Sequence, residues 1–164
     1  MRRAARGLTL LETMIALALL ALLASLAAPS FGGATERARL RYAAETLAAD
    51  IADARLEAAR RGQALHLDTQ TGAAWCWAIA SQPGCGCAGA RSCQLKYETA
   101  ADHGGIRLLQ AAPARLEASG ETQAQPVTAI FESARGERLE VWMSPLGRSR
   151  ICSPAGTVPG YPAC

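Results

Sequence analysis

At 164 residues the chain has room for one domain and an appendage. Half of it is hydrophobic, but with only three Trp, three Tyr and two Phe its apolar content is mostly Ala and Leu, which favours helices. The formal charge of +3 owes itself to Arg2, Arg3 and Arg6; without them 17 basic residues become 14, level with the 14 acidic ones, which excludes nucleic-acid attraction by global charge and leaves room only for a local patch.

The first seven residues, Met-Arg-Arg-Ala-Ala-Arg-Gly, are short, basic and without an apolar stretch. From Leu8 the sequence reads LTLLETMIALALLALLASLAAPSF, with no charge between Glu12 and Glu36. As a helix, residues 13–31 would reach about 28 Å, enough to cross a hydrocarbon core. Arginines before the span and no matching basic cluster directly after it put the leader in the cytoplasm and the rest outside. An ordinary cleaved signal peptide, with a small-residue site near Ala27-Ala28, is the competing reading. The apolar run is too long for it, however, and Glu12 stands at its start. A carboxylate in a membrane span costs about 2.5–3.5 kcal/mol at the centre and less near the interface, so it needs a partner.

Gly7-Leu8-Thr9-Leu10-Leu11-Glu12 resembles the type IV prepilin signal: a glycine, a hydrophobic residue, then Thr-Leu-(Ile/Leu)-Glu. The resemblance implies cleavage after Gly7 by a prepilin peptidase and N-methylation of Leu8. It places Glu12 where the family's glutamate pairs with the terminal amine of a neighbouring subunit, and Pro29 where pilins carry a helix-loosening proline. A Leu at the new first position departs from the usual Phe.

Gly32-Gly33 is expected to loosen the helix on leaving the bilayer. A second helical stretch is predicted over 35–61, closed by Gly62 as a residue just past the helix end. Leu40, Ala44, Leu47, Ile51, Ala54 and Ala58 recur at spacings of four and three and form one apolar stripe to pack on a sheet. Thereafter the period is two. Strands are predicted over 65–68, 75–79, 94–99, 105–110, 114–119, 127–132 and 138–143. The domain reading is therefore leader 1–7, membrane half of the helix 8–31, soluble half 32–62, and a β-rich head 63–164. In class this is α+β, a long N-terminal helix on an antiparallel sheet.

All six cysteines (Cys76, Cys85, Cys87, Cys93, Cys152 and Cys164) lie in the head. An even count in a small domain behind a membrane segment points to an oxidising compartment and disulfides. Cys85-Gly-Cys87 with Cys93 raises metal binding, but zinc sites use C-x₂₋₄-C pairs with a second pair at a distance, so no metal is expected. Pairing among the first four stays open; a Cys152–Cys164 bridge would hold the Pro-rich tail. His66 and His103 stand beside no nucleophile or ligand motif, and the glycines of 84–89 lack the Lys-Ser/Thr of a phosphate loop. No catalytic residue and no cofactor are expected.

Near the C-terminus, Ser144-Pro145-Leu146-Gly147 has the composition of a type I turn. Arg148-Ser149-Arg150-Ile151-Cys152 would return as a strand, burying Ile151 and turning Arg148 and Arg150 outward. Arg135 and Arg138 would extend the patch, with Glu132, Glu137 and Glu140 opposing it. A Gly-Arg-x-Arg followed by Cys after a strand and turn resembles the GspH/FimT family of minor pilins and pseudopilins. The resemblance implies an inner-membrane protein with one span, its head in the periplasm, partnered by other pilins or pseudopilins in a pilus or type II secretion pseudopilus. Some FimT-like members bind double-stranded DNA through this loop, which here is Gly147, Arg148, Ser149 and Arg150.

Overall fold

The computed structural model describes residues 9–89, 91–119, 127–144 and 148–164, with the side chains of 26–31 and 127 left outside. It divides into two compact units, Met1–Thr35 and Glu36–Cys164. One helix, α1 (Leu10–Arg61), is followed by eight strands and a short 3₁₀ turn.

The first unit is the start of α1. Thr9 caps it: the Glu12 amide donates to Thr9 Oγ1 at 3.3 Å, and the Thr13 amide donates to the Thr9 carbonyl. Thr-x-x-Glu is thus half of a capping box, and Glu12 in the first turn suits the positive end of the helix dipole. The polar side chains that follow turn back on the helix, Thr13 Oγ1 to the Leu10 carbonyl and Ser25 Oγ to that of Leu22. They need no water. Leu10, Leu11, Met14, Ile15, Leu17, Leu19, Leu20, Leu22 and Leu23 are all exposed. Among the described residues no helix is long and apolar enough to cross a membrane; the predicted span 13–31 runs into 26–31, whose side chains lie outside the description.

Gly32-Gly33, where loosening is expected, lies within α1. Each glycine costs about 1 kcal/mol against Ala, and the Ala-, Leu- and Arg-rich turns on either side offset that. The helix stops where the sequence places its end. Gly62 has φ +63°, and the Gln63 amide reaches back to the Ala58 carbonyl at 3.2 Å, the long bond of a Schellman cap.

In the second unit the predicted single sheet is two four-stranded sheets, both antiparallel. The first has the order β3 (Gln94–Thr99), β2 (Cys76–Ala80), β1 (Leu65–Gln70), β5 (Ala114–Leu116). The second runs β4 (Ile106–Ala111), β6 (Val127–Ser133), β7 (Arg138–Met143), β8 (Ser149–Cys152). The apolar stripe of α1 fills the space over them: Leu40, Ala44, Leu47, Ile51 and Ala58 are at most 1 % exposed. They meet Trp75 and Trp77, stacked at 5.4 Å between ring centroids, with Phe131 edge-on to both. Such aromatic pairs contribute about 0.5–1.5 kcal/mol beyond their burial.

Three disulfides hold the periphery: Cys76–Cys87, Cys85–Cys93 and Cys152–Cys164. The first two fold the loop after β2 back onto β1, where Asp68 Oδ2 accepts the Cys87 amide at 3.0 Å. That approach requires Gly86, because a Cβ there would fall on the Asp68 carboxylate. The third bridge closes the tail, which also pairs along the backbone, the Ser153 amide to the Pro162 carbonyl and the Cys164 amide to that of Ser153. Tyr161 fixes it to α1: its hydroxyl donates to Glu45, while Arg41 donates to the Pro159 carbonyl and lies over the Tyr161 ring. Burial first, and the Glu45 carboxylate second, push the Tyr161 phenol up to about 12.

Candidate functional site

Of the residues that would be processed, Gly7 and Leu8 lie outside the described residues, as does Gly147 of the C-terminal motif. Glu12 is exposed in the first turn of α1.

The β7–β8 hairpin carries the rest of the motif. Its strands close next to the turn, the Ser144 amide donating to the Arg148 carbonyl at 3.0 Å and the Arg148 amide to Ser144 Oγ at 3.1 Å. In β7 burial alternates: Leu139, Val141 and Met143 are buried, whereas Arg138 is exposed and Glu140 and Trp142 are half-buried on the outer face. Pairing sets Trp142 opposite Arg150 and Glu140 opposite Cys152. Ile151 packs against the core, and Arg148 and Arg150 are exposed. Neither guanidinium has a side-chain partner among the described residues. At about 3.3–3.4 Å of rise per residue, the backbone attachment points of the two side chains lie roughly 7 Å apart, a spacing suited to neighbouring phosphates.

Arg135 and Arg138 do not add free charge to this pair. Arg135 meets Glu36 at 3.2 Å, and Arg138 meets Glu132 at 2.8 Å, a carboxylate shared with Arg107. The cause is the register, which seats Arg138 directly across from Glu132. Glu137, an expected opponent of the patch, is instead taken by Arg37 at 2.7 Å. Of the opposing acids, Glu140 faces the hairpin's outer side beside Trp142 and Arg150, without an ion-pair partner among the described residues.

Glu140, Cys152 and Cys164 bring three potential metal-ligand atoms within 4.8 Å of one another. Both sulfurs are spent in one disulfide, however, so the group offers no thiolate. Buried His103 is a packing residue: Nε2 lies 3.1 Å from Glu98 Oε2, and the ring tilts against Tyr42, Trp75 and Trp77. His66 sits half-buried in β1 beside Asp68 and Arg115.

Sequence reasoning passed over Trp142. Its position was readable, since the alternation that buries Val141 and Met143 turns residue 142 outward.

Comparison with known proteins follows the same division. The prokaryotic N-terminal methylation motif matches residues 2–28, and the type II transport protein GspH family matches residues 43–147. Among solved structures, the type IV minor pilin FimU of Pseudomonas aeruginosa (strain PAO1) is similar, with a TM-score of 0.54 and 18 % identity over 74 % of this chain and 98 % of that one. At that identity the likeness is one of fold, a long helix and an antiparallel head. No curated protein sequence matches. A methylation motif at the head of α1 and a family match running from the apolar stripe to the edge of β8 leave one assignment: the chain belongs to the type II transport protein GspH family, the minor pilins and pseudopilins.

Proposed function

We propose that this chain is a minor pilin or pseudopilin subunit of a type IV pilus or a type II secretion machine, cleaved between Gly7 and Leu8 by a prepilin peptidase and methylated on Leu8. Residues 8–31 hold it in the bacterial inner membrane as a single span, and the head lies in the periplasm until the subunit enters a filament. Its work is assembly with other pilins, and no residue is given a catalytic role. The observation that carries this reading is the row of exposed large apolar side chains from Leu10 to Leu23, interrupted by one carboxylate, Glu12. Such a surface is stable only in lipid or against sister helices. There, a lone carboxylate is tolerated when an amine neutralises it, and breaking such a pair costs on the order of 3–5 kcal/mol. Glu12→Ala should therefore insert normally but be lost from sheared filaments, as read by immunoblot. Recovery of the variant in filaments at wild-type levels refutes the charge-pair role.

A second reading is favoured by the hairpin: a DNA-capturing pilin that grips double-stranded DNA through Gly147, Arg148 and Arg150. Its support is the pair of exposed guanidinium groups without side-chain partners among the described residues. Two phosphate contacts give a salt slope of about −1.8, from about −0.9 each, and affinity in the ~10⁻⁴ to 10⁻⁶ M range without regard to base sequence. Titration of duplex DNA into the wild type, Arg148→Gln and Arg150→Gln tests it. Salt-sensitive binding lost in both variants is the expected result; a wild type that does not bind at low salt leaves assembly alone.

A further inference from the structure

The three tryptophans divide into two kinds. Trp75 and Trp77 are buried, and each spends its ring N–H, Trp75 on the Ile106 carbonyl at 2.8 Å and Trp77 on Asp50 at 3.0 Å. Trp142 differs in every respect. It is half-buried on the outer face of β7, its ring N–H has no partner among the described residues, and no aromatic ring or guanidinium stacks on it there. Such an indole offers part of a flat π surface, with a polar ring N–H at its edge, to whatever meets the outer face of the hairpin.

Its neighbours indicate what. With Ser144, Arg148, Ser149 and Arg150 it lines an open pocket of about 480 Å³. Arg150 is its directly opposed partner across the strands, and Thr128 is its partner on the other side, on β6. A flat π surface is therefore flanked by two cations free of carboxylates and by hydroxyl groups. Glu140, half-buried one step along the same face, is an acid beside them.

We propose that Trp142 is a stacking platform for an unpaired base, so that the β7–β8 hairpin takes single-stranded nucleic acid in preference to duplex, with Arg148 and Arg150 on the adjoining phosphates. Every base presents a π face, which makes the contact indifferent to sequence, and the base is free to lie flat on the indole only when it is not paired. In a duplex the bases are stacked on one another and only phosphates are presented to a surface of this kind. This inference rests on the nucleic-acid reading of the same hairpin and adds to it the strandedness of the ligand and a residue outside the Gly-Arg-x-Arg motif.

The full-length chain in detergent micelles is titrated with a short oligothymidylate and, separately, with a duplex of mixed sequence, following tryptophan emission and anisotropy of the labelled oligonucleotide. Because Trp75 and Trp77 are buried, quenching reports on Trp142. The expected results are saturable quenching by the single strand and an affinity about tenfold tighter than for duplex, the scale of one base–aromatic stack. Trp142→Phe keeps the preference and Trp142→Ala removes it, leaving single strand and duplex equal. Arg150→Gln weakens both, and Glu140→Gln strengthens both. Equal affinities in the wild type with a silent Trp142→Ala overturn the stacking role while leaving duplex capture standing. No binding of either nucleic acid at low salt overturns both readings.

Discussion

Asp50 is buried on α1, where its Oδ2 accepts the Trp77 ring N–H and its Oδ1 lies 3.2 Å from the Lys96 ammonium. The hydrogen bond to Asp50 is the main reason the Lys96 pKa is raised above its ordinary value. The aspartate thus solves two problems at once: a buried indole N–H needs an acceptor, and a buried carboxylate needs a cation. Asp50→Ala leaves the indole unpaired in the core and should destabilise the protein by about 1–3 kcal/mol. Asp50→Asn keeps an amide oxygen for Trp77, loses only the ion pair with a half-exposed lysine, and should lie well above the alanine variant. Urea denaturation followed by tryptophan emission ranks the two; equal losses would mean that the indole bond contributes nothing. Asp50 was hidden in the sequence because a search for apolar period passes over a carboxylate standing on the buried stripe between Leu47 and Ile51. The sequence sets Glu132 against the patch that Arg138 would extend, but that these two pair directly follows from a strand register local pattern does not carry.

The elements themselves were legible wherever burial has a period. The α1 stripe and its stop at Gly62 read directly from spacing four and three and from a glycine in the left-handed region. The alternation over 138–143 gave β7 to the residue, and that over 65–68 gave the start of β1 but not its last two residues. What local pattern does not carry is the strand order. β4 skips β5 to pair with β6, and β5 returns to the far edge of β1, so one expected sheet is two. Pairing of Cys76, Cys85, Cys87 and Cys93 was open for the same reason, while Cys152, at the end of β8, and Cys164 stand apart from those four in the sequence. The Cys152–Cys164 bridge spans a sequence separation of 12. Replacing both cysteines with alanine should cost about 3 kcal/mol in the chain-entropy view. It should also free the tail that Tyr161 and Pro159 tie to α1, so limited proteolysis should clip within residues 153–164 far faster than in the wild type. A tail that stays protected would show that the Glu45 and Arg41 contacts hold it unaided.

Among the described residues, the two units differ in the surface they expose. The first unit exposes leucines and a single acid, whereas the second pairs most of its charged groups with one another and leaves Arg148 and Arg150 without side-chain partners among the described residues. This division is what a subunit needs if its helix packs against other helices and its head meets water. Thr9 caps the helix, and a cut between Gly7 and Leu8 would put the new terminal amine four residues before Glu12 in the sequence. The measurement that bears most directly on this account is the intact mass of the full chain purified after co-expression with a prepilin peptidase. The account predicts a chain that begins at Leu8 and carries one methyl group on its terminal nitrogen. A chain cut near Ala28, or one that keeps Met1 to Gly7 in the presence of active peptidase, would contradict it.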